Sequence, residues 1–211
     1  REYLDAHGPA FLGTNCAGCT TVPVLIKLID AKQDLSIQVH PDDAYAMRTE
    51  GEPGKTEMWY IVDAAPGAAL YYGLNRTVTK EEFAQRIEAQ TLPEILNRVE
   101  VKPGELYFIP SGTLHAIGAG ILLAEIQQNS NVTYRIYDFN RKDKNGNTRE
   151  LHTELAKDVI DYSVLPDYRT HYTPKKDEPV EIARCEHFTT TVYDLTESMT
   201  MDYSELDSFV I

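Results

Sequence analysis

The chain has 211 residues, of which 42% are hydrophobic and 25% are charged, which is the composition of a folded globular protein rather than a disordered one. Its 20 Lys and Arg residues against 33 Asp and Glu residues give a formal net charge of −13 at pH 7. A surface with this charge repels a phosphate backbone, which argues against a general nucleic-acid binder. It still allows a small anionic substrate in a locally positive pocket.

Neither a membrane span nor a disulfide framework is predicted. The longest apolar stretch, Val22–Ile29, is interrupted by a proline and a lysine, whereas a span needs roughly 18 uninterrupted apolar residues. Cys16, Cys19 and Cys185 cannot form an even set of disulfides, and no second pair at zinc-ribbon spacing accompanies the C-x-x-C pair. We interpret the three as reduced loop thiols and expect a cytoplasmic location.

Short strands rich in Val, Ile and Tyr dominate the sequence from residue 22 to residue 139. Gly, Pro, Asn or Asp separates most of them, and this spacing favours an antiparallel barrel or sandwich. The predicted strands are Val22–Ile29, Leu35–Val39, Glu57–Val62, Ala68–Tyr72, Leu106–Ile109, Leu114–Ile117, Ile121–Gln127 and Thr133–Phe139.

Helices are predicted at three places along the chain. Pro41–Asp43 opens the first, with proline at a tolerated first-turn position. Thr79 and Glu82 have the spacing of a capping box, and Thr91–Glu94 repeats that spacing a few residues later. The third helix is expected to begin near Thr153.

Three parts are predicted along the chain. Residues 1–164 would form the catalytic barrel, and residues 165–179, rich in Pro, Lys and Asp, would form a linker. Residues 180–211 contain strand-like segments at Val180–Ala183 and Phe188–Leu195 and are interpreted as the start of a second, incomplete β-unit.

Two of the predicted strands carry polar residues on one face. Because alternate residues of a strand share a face, Ser36, Gln38 and His40 point the same way. The simplest interpretation of that strand alone is an edge strand with a solvent-facing side. Lys55 and Glu57 share a face with apolar residues further along, and a buried carboxylate there would need a partner or a metal ion.

A third segment has a specific spacing. Gly104, Pro110, Gly112 and His115 follow the pattern G-x5-P-x-G-x2-H, which matches the second signature of the cupin family. The pattern predicts a strand, a tight turn and a returning strand that presents His115 inward. This resemblance implies a mainly β fold, a cupin-type jelly-roll antiparallel β-barrel with a few short helices.

The donor set suggested by these segments is two imidazoles, one carboxylate and one amide. Together they suit a zinc-like divalent ion with an open position for water or substrate. His7, His152, His171 and His187 have no ligand-like spacing and are interpreted as surface or structural residues.

Over about Val22 to Tyr162, the sequence resembles the short bacterial type I mannose-6-phosphate isomerases. The resemblance rests on the segments QVHPDD, GKTEMWYIV, PSGTLHAIG and AEIQQNSNVTYRIYDFNR. It implies an enzyme with one zinc ion per chain that interconverts mannose 6-phosphate and fructose 6-phosphate. Members of that family extend further on both sides, and the chain is expected to lack those extensions.

The resemblance also implies roles for individual residues. The zinc ligands would be Gln38, His40, Glu57 and His115. Lys55 and Arg135 would be catalytic and would contact substrate, and Ser36 and Arg141 would hold its phosphate. An always-charged, planar Arg135 suits an anionic sugar phosphate or a developing enediolate.

The general base stays open at this point. Lys55 beside the metal is one candidate, and a metal-linked water or a carboxylate is another. Asn131 stands where many members of the family carry Asp, which argues against a mechanism that needs a carboxylate there.

Two alternative functions are a cupin oxygenase or epimerase, disfavoured by Gln38, and a non-catalytic module that binds a sugar phosphate or a metal. The expected partner is a small sugar phosphate, with no nucleic acid and no membrane, and the expected state is a monomer or a weak homodimer.

Overall fold

The structure is a computed structural model that describes Glu2–Ile211 and consists mainly of antiparallel strands. The strands are β1 (Val24–Ala31), β2 (Ile37–Val39), β3 (Glu57–Ala64), β4 (Ala69–Leu74), β5 (Leu96–Glu100), β6 (Leu106–Ile109), β7 (His115–Ile117), β8 (Ile121–Gln128), β9 (Tyr134–Tyr137), β10 (Pro179–Arg184) and β11 (Thr189–Tyr193). The α-helices are α1 (Glu2–His7), α2 (Asp43–Thr49), α3 (Lys80–Glu88) and α4 (Thr153–Val159). Short 3-10 turns lie at Pro9–Leu12, Thr14–Cys16 and Leu92–Ile95. Within residues 2–211, none of the helices has the length and apolar character needed to cross a membrane.

The chain divides into two compact units. One comprises Ile26–His171, and the other comprises the residues up to Leu25 together with Tyr172–Ile211. The larger unit holds every residue for which the sequence predicts a functional role.

Two sheets build the larger unit. One has the strand order β1-β8-β3-β6, and the other has the order β5-β4-β7-β2-β9. Their inner faces share one apolar core, to which the first sheet contributes Trp59 and Tyr107 and the second contributes Leu70 and Ile117. This double-sheet arrangement confirms the predicted mainly β, cupin-like fold.

A second core covers the outer face of the five-stranded sheet. Ile37 and Val39 of β2 pack there with Phe83 of α3 and Ala156 of α4. Because Ile37 and Val39 point outward, Gln38 between them points to the barrel interior. The alternation predicted for this strand is therefore confirmed, and its polar face lines the barrel rather than an edge in solvent.

The smaller unit contains α1, two 3-10 turns and a ribbon formed by β10 and β11. Pro179 pairs with Tyr193 and Arg184 with Thr189, with an irregularity between Glu181 and Ala183. The Asp207 carboxylate accepts a hydrogen bond from the Thr14 amide at 3.1 Å. The assignment of this ribbon as the start of a second cupin-like unit stays a prediction.

The predicted linker, residues 165–179, is divided between the two units. Residues up to 171 pack with the barrel, where the buried Tyr168 hydroxyl donates to the Leu74 carbonyl at 3.0 Å and the Thr170 amide donates to the Leu106 carbonyl at 2.9 Å. The Pro- and charge-rich composition of this stretch gives no indication that Tyr168 and Thr170 bind to the barrel.

The second predicted capping box is wrong. Thr91 makes no side-chain cap, Leu92–Ile95 is only a 3-10 turn, and the unpredicted strand β5 follows directly. Pairing with β4, in which Leu70 lies opposite Val99, holds these residues in an extended conformation. Tertiary pairing here overrides the local helical pattern. The N-terminal helix α1 was also not predicted.

We expect Thr79→Ala to lower the free energy of unfolding by about 1 kcal/mol. The Thr79 side chain accepts a hydrogen bond from the Glu82 amide at 3.1 Å and so caps α3. Thr91→Ala is the matched control, since that threonine caps no helix, and its effect should be clearly smaller. Urea denaturation of both variants measures the difference. Equal losses would contradict the assignment of Thr79 as the cap.

Candidate metal centre and anion site

Three buried side chains meet inside the barrel, and they come from three places in the chain. His40 follows β2, Glu57 begins β3 and His115 begins β7. The strand register brings them together, because His115 lies opposite Gln38 on β2. One nitrogen or oxygen atom from each of the three residues lies within 4.8 Å of the others.

The turns that carry these residues are tied to one another by their backbones. The Gly112 amide donates to the His40 carbonyl at 2.8 Å, and the Lys55 amide donates to the Pro41 carbonyl at 3.0 Å. Gly112 adopts φ +86, and a Cβ at Gly54 would lie 2.3 Å from the Asp42 carbonyl carbon. A larger residue at Gly54 would therefore push apart the segments that carry the donors, and any other residue at Gly112 would be strained in its left-handed conformation.

The spacing of the donor atoms suits a zinc ion. His40 Nε2 lies 3.6 Å from Glu57 Oε2, and His115 Nε2 lies 3.4 Å from Glu57 Oε1. Ligand atoms around a tetrahedral zinc at its usual bond lengths are about 3.3–3.4 Å apart. The Gln38 amide nitrogen lies 3.3 Å from His115 Nε2, so rotating the amide by half a turn would present its oxygen instead.

A hydrogen bond at Nδ1 fixes each imidazole in the tautomer that a metal ion needs. His40 Nδ1 is 3.0 Å from the Val132 carbonyl, and His115 Nδ1 is 2.9 Å from the Thr113 carbonyl. Each ring therefore donates its Nδ1 proton to the backbone and presents the Nε2 lone pair to the centre.

The remaining polar atoms at the centre have no hydrogen-bond partner among the described residues. These atoms are His40 Nε2 and both carboxylate oxygens of Glu57, and all three are buried. Because leaving buried polar atoms unpaired is unfavourable, a cation with open coordination positions is the group that fits them. The donor set therefore fits a zinc ion.

Burial shifts the titration of all three residues. It lowers the pKa of His115 to about 4 and that of His40 well below its usual range, and the nearby Lys55 ammonium adds to both shifts. Burial also raises the pKa of Glu57 to about 7, against the opposing effect of Lys55. Both imidazoles are consequently neutral at pH 7, the form that binds metal ions.

Lys55 lies at this centre, as its shared face with Glu57 predicts. Its side chain is buried, and Nζ is 3.4 Å from Glu57 Oε2. No other charged group in the described chain approaches the Glu57 carboxylate this closely.

A second cluster lies beside the candidate metal donors. Arg135 of β9 pairs with Gln38, and its Nε donates to the hydroxyl of the buried Ser36 at 3.2 Å. Arg141 donates hydrogen bonds to the Asp34 carbonyl and to the Asp138 carboxylate. Burial and the positive charges of Arg149 and Arg141 lower the pKa of Arg135. The structure thus brings Ser36, Arg135 and Arg141 into one region.

Sequence reasoning missed two buried polar residues on β8, the strand next to Glu57. Glu125 lies opposite Trp59 and Gln127 lies opposite Glu57, so both point into the barrel. The Glu125 carboxylate accepts from Trp59 Nε1 at 3.1 Å and from Lys27 Nζ at 2.7 Å, and Lys27 also donates to Gln127. Leu123, Glu125 and Gln127 are alternate residues of β8 and share one face. This spacing was the signal that could have placed Glu125 and Gln127 toward the interior. Asn131, by contrast, is exposed.

Comparisons with known proteins agree with this architecture. No protein-family model matches the chain. The mannose-6-phosphate isomerase ManA of Bacillus subtilis is 46% identical over 182 residues, which are 85% of this chain and 58% of that relative. The crystal structure of the mannose 6-phosphate isomerase from Bacillus subtilis matches with a TM-score of 0.75 and 38% identity, covering 90% of this chain and 60% of that one.

A structure described as zinc-bound mannose 6-phosphate isomerase has the same fold, with a TM-score of 0.68 over 90% of this chain and 68% of that one. At 15% identity this likeness concerns the fold alone. The chain spans 43–58% of the length of the curated relatives it matches. The resemblance inferred from the motifs is confirmed: in sequence and in fold, the chain is similar to the mannose-6-phosphate isomerases.

Proposed function

We propose that the chain binds one zinc ion and interconverts D-mannose 6-phosphate and D-fructose 6-phosphate. The observation that carries this proposal is the fully buried Glu57 carboxylate, which faces two neutral imidazoles and the Lys55 ammonium. The names of the similar proteins supply the substrate, and the side chains around the centre are consistent with it.

The proposed zinc ligands are Gln38, His40, Glu57 and His115. Two histidine nitrogens and one carboxylate are typical ligands of catalytic zinc, and the amide oxygen of Gln38 would be the fourth ligand from the protein. When bound, the ion would supply a Lewis acid that polarises the sugar's carbonyl or hydroxyl oxygen.

Ser36 and Arg141 are proposed to bind the phosphate, and Arg135, which donates to Ser36, is proposed to hold the substrate beside them. Guanidinium groups bind phosphate through two parallel N–H donors, and the buried Ser36 hydroxyl adds a neutral donor. The chain's net charge of −13 makes a local positive cluster necessary for an anionic substrate to be held at all.

Aldose–ketose isomerisation moves a proton between C1 and C2 through an enediol, so a group that can accept and return a proton is required. Lys55 is the proposed base, since its Nζ lies beside the metal donors, and it would act as the neutral amine after giving up its ammonium proton. Both oxygens of Glu125 already accept hydrogen bonds, so we assign Glu125 to orienting substrate rather than to accepting a proton. Arg135 is permanently charged, so its role is to stabilise negative charge on oxygen and to hold substrate.

Removing one ligand should remove the metal. We expect His115→Ala to lose zinc affinity by about 100-fold or more, because an imidazole with a fixed tautomer is lost from a small donor set. His171→Ala is the control, since His171 is exposed and pairs with Asp167. Zinc content after dialysis and competition with a chromophoric chelator measure both variants. Unchanged zinc binding in His115→Ala would contradict the site.

Zinc affinity should depend on pH through Glu57. Its pKa of about 7 means that the carboxyl is protonated below that pH, so zinc must displace a proton there. We expect the apparent affinity to fall by up to about tenfold per pH unit below pH 7 and to level off above it. Chelator competition between about pH 5.5 and 8 tests this. In Glu57→Gln the residual binding should lose this dependence, and a flat wild-type profile would refute the assignment.

Lys55→Met should separate chemistry from metal binding. Loss of the base should lower kcat by roughly 10²–10⁴-fold while zinc content stays at the wild-type level. The control is Lys32→Met, because Lys32 is exposed in the turn after β1. A coupled assay with mannose 6-phosphate, with and without added zinc, gives kcat. Full activity in Lys55→Met would exclude a base role, and sugar-phosphate binding without turnover in the wild type would favour a non-catalytic binding module.

A further inference from the structure

The segment after β9 forms an ordered excursion beside the proposed phosphate site. Phe139 and Asn140 both adopt φ 53, a left-handed conformation that turns the chain sharply after Asp138. A short hairpin follows, bridged between Lys142 and Thr148. Left-handed non-glycine residues are unfavourable and are retained where surrounding contacts enforce them, commonly at binding sites.

The returning chain is fastened to the edge of the five-stranded sheet. The His152 amide donates to the Arg135 carbonyl at 2.7 Å, which pairs this segment with β9. The Arg135 guanidinium donates through Nη1 to the Glu150 carbonyl at 3.3 Å. The excursion therefore positions the side chain of Arg135 and at the same time brings residue 149 to the phosphate site.

Asp138 links two arginines at the start and the end of this excursion. One oxygen of its buried carboxylate accepts from Arg141 Nη2 and lies 3.9 Å from Arg149 Nη1. The other oxygen, Oδ2, is buried without a hydrogen-bond partner among the described residues. A carboxylate in this position holds two like-charged guanidinium groups close together, which they would otherwise resist.

The charges in this group complement a phosphate ester. Arg135, Arg141 and Arg149 carry three positive charges against the single negative charge of Asp138, and the four together leave a net charge of +2. A phosphate monoester carries nearly two negative charges at neutral pH, since its second pKa is about 6. The simpler interpretation of Arg149 is an exposed ion pair, which would contribute almost nothing to binding.

We propose that Arg149 is a further phosphate-binding arginine of the substrate site and that Asp138 is the residue that positions Arg149 and Arg141 for it. This inference rests on the proposed function for the identity of the substrate. It adds two residues that lie outside the motifs of the metal centre.

The first test is Arg149→Gln, with Arg98→Gln as the matched control. Arg98 has a similarly exposed side chain, 52% against 55%, and a similarly distant carboxylate partner, at 3.6 Å from Glu100. We expect Arg149→Gln to raise KM for mannose 6-phosphate and Ki for inorganic phosphate about tenfold, with kcat within about twofold of wild type. Arg98→Gln should leave all three unchanged.

The second test separates positioning from a general structural role. Asp138→Asn should raise KM and Ki for inorganic phosphate like Arg149→Gln, and the double variant should lose less than the product of the two single effects. Arg149→Lys should recover part of the phosphate affinity. If Asp138→Asn fails to fold, the Arg149 variants decide the question alone, because that side chain lies largely at the surface.

Several outcomes would overturn the inference. Wild-type KM and Ki in Arg149→Gln would show that Arg149 is only an exposed ion pair, and a fall in kcat with unchanged KM would assign it a role other than phosphate binding. If the wild type shows no isomerase turnover, calorimetric binding of inorganic phosphate to wild type and Arg149→Gln still decides. A weaker affinity in the variant would then support the phosphate site although the isomerase proposal fails.

Discussion

Burial of one carboxylate inside an apolar barrel is the constraint on which the rest of the site depends. Glu57 is fully buried on the same strand face as Trp59 and Ile61. Removing a carboxylate from water is unfavourable by several kcal/mol unless positive charge and hydrogen bonds offset it. Lys55 provides one positive charge, and a divalent cation held with His40 and His115 would provide the other. The polar residues around Glu57 are therefore those that can offset its negative charge.

Strand register delivers these groups to one point. Glu57 lies between Ile109 on β6 and Gln127 on β8. A slip by one residue would turn Glu57 and Trp59 to the outer face and point Met58 inward instead. The apolar residues that alternate with the donors therefore fix the register, and the hydrophobic core determines the position of the chemistry. Stability and the proposed metal site have the same structural origin here.

Most of the site was predictable because it depends on local, period-two patterns. Strand alternation correctly places Gln38 and Lys55 toward the interior, and the turn signature correctly presents His115. For groups that depend on pairing across the barrel, the same pattern gives the strand face but not the burial. Glu125 resembles an ordinary solvent-facing residue until its position opposite Trp59 is known. Likewise, β5 is visible only once its pairing with β4 is seen.

The two ends of the site differ in how firmly the fold holds them. The metal donors lie on or next to paired strands whose turns are joined by backbone hydrogen bonds. The proposed anion end depends on the edge strand β9 and on a hairpin, where longer side chains and a shared carboxylate set the geometry. The two ends are nevertheless joined through one segment, because Gln38 lies opposite Arg135 and the neighbouring Ser36 hydroxyl accepts from the Arg135 guanidinium. The segment that carries the proposed metal donors therefore also sets the separation between the two ends.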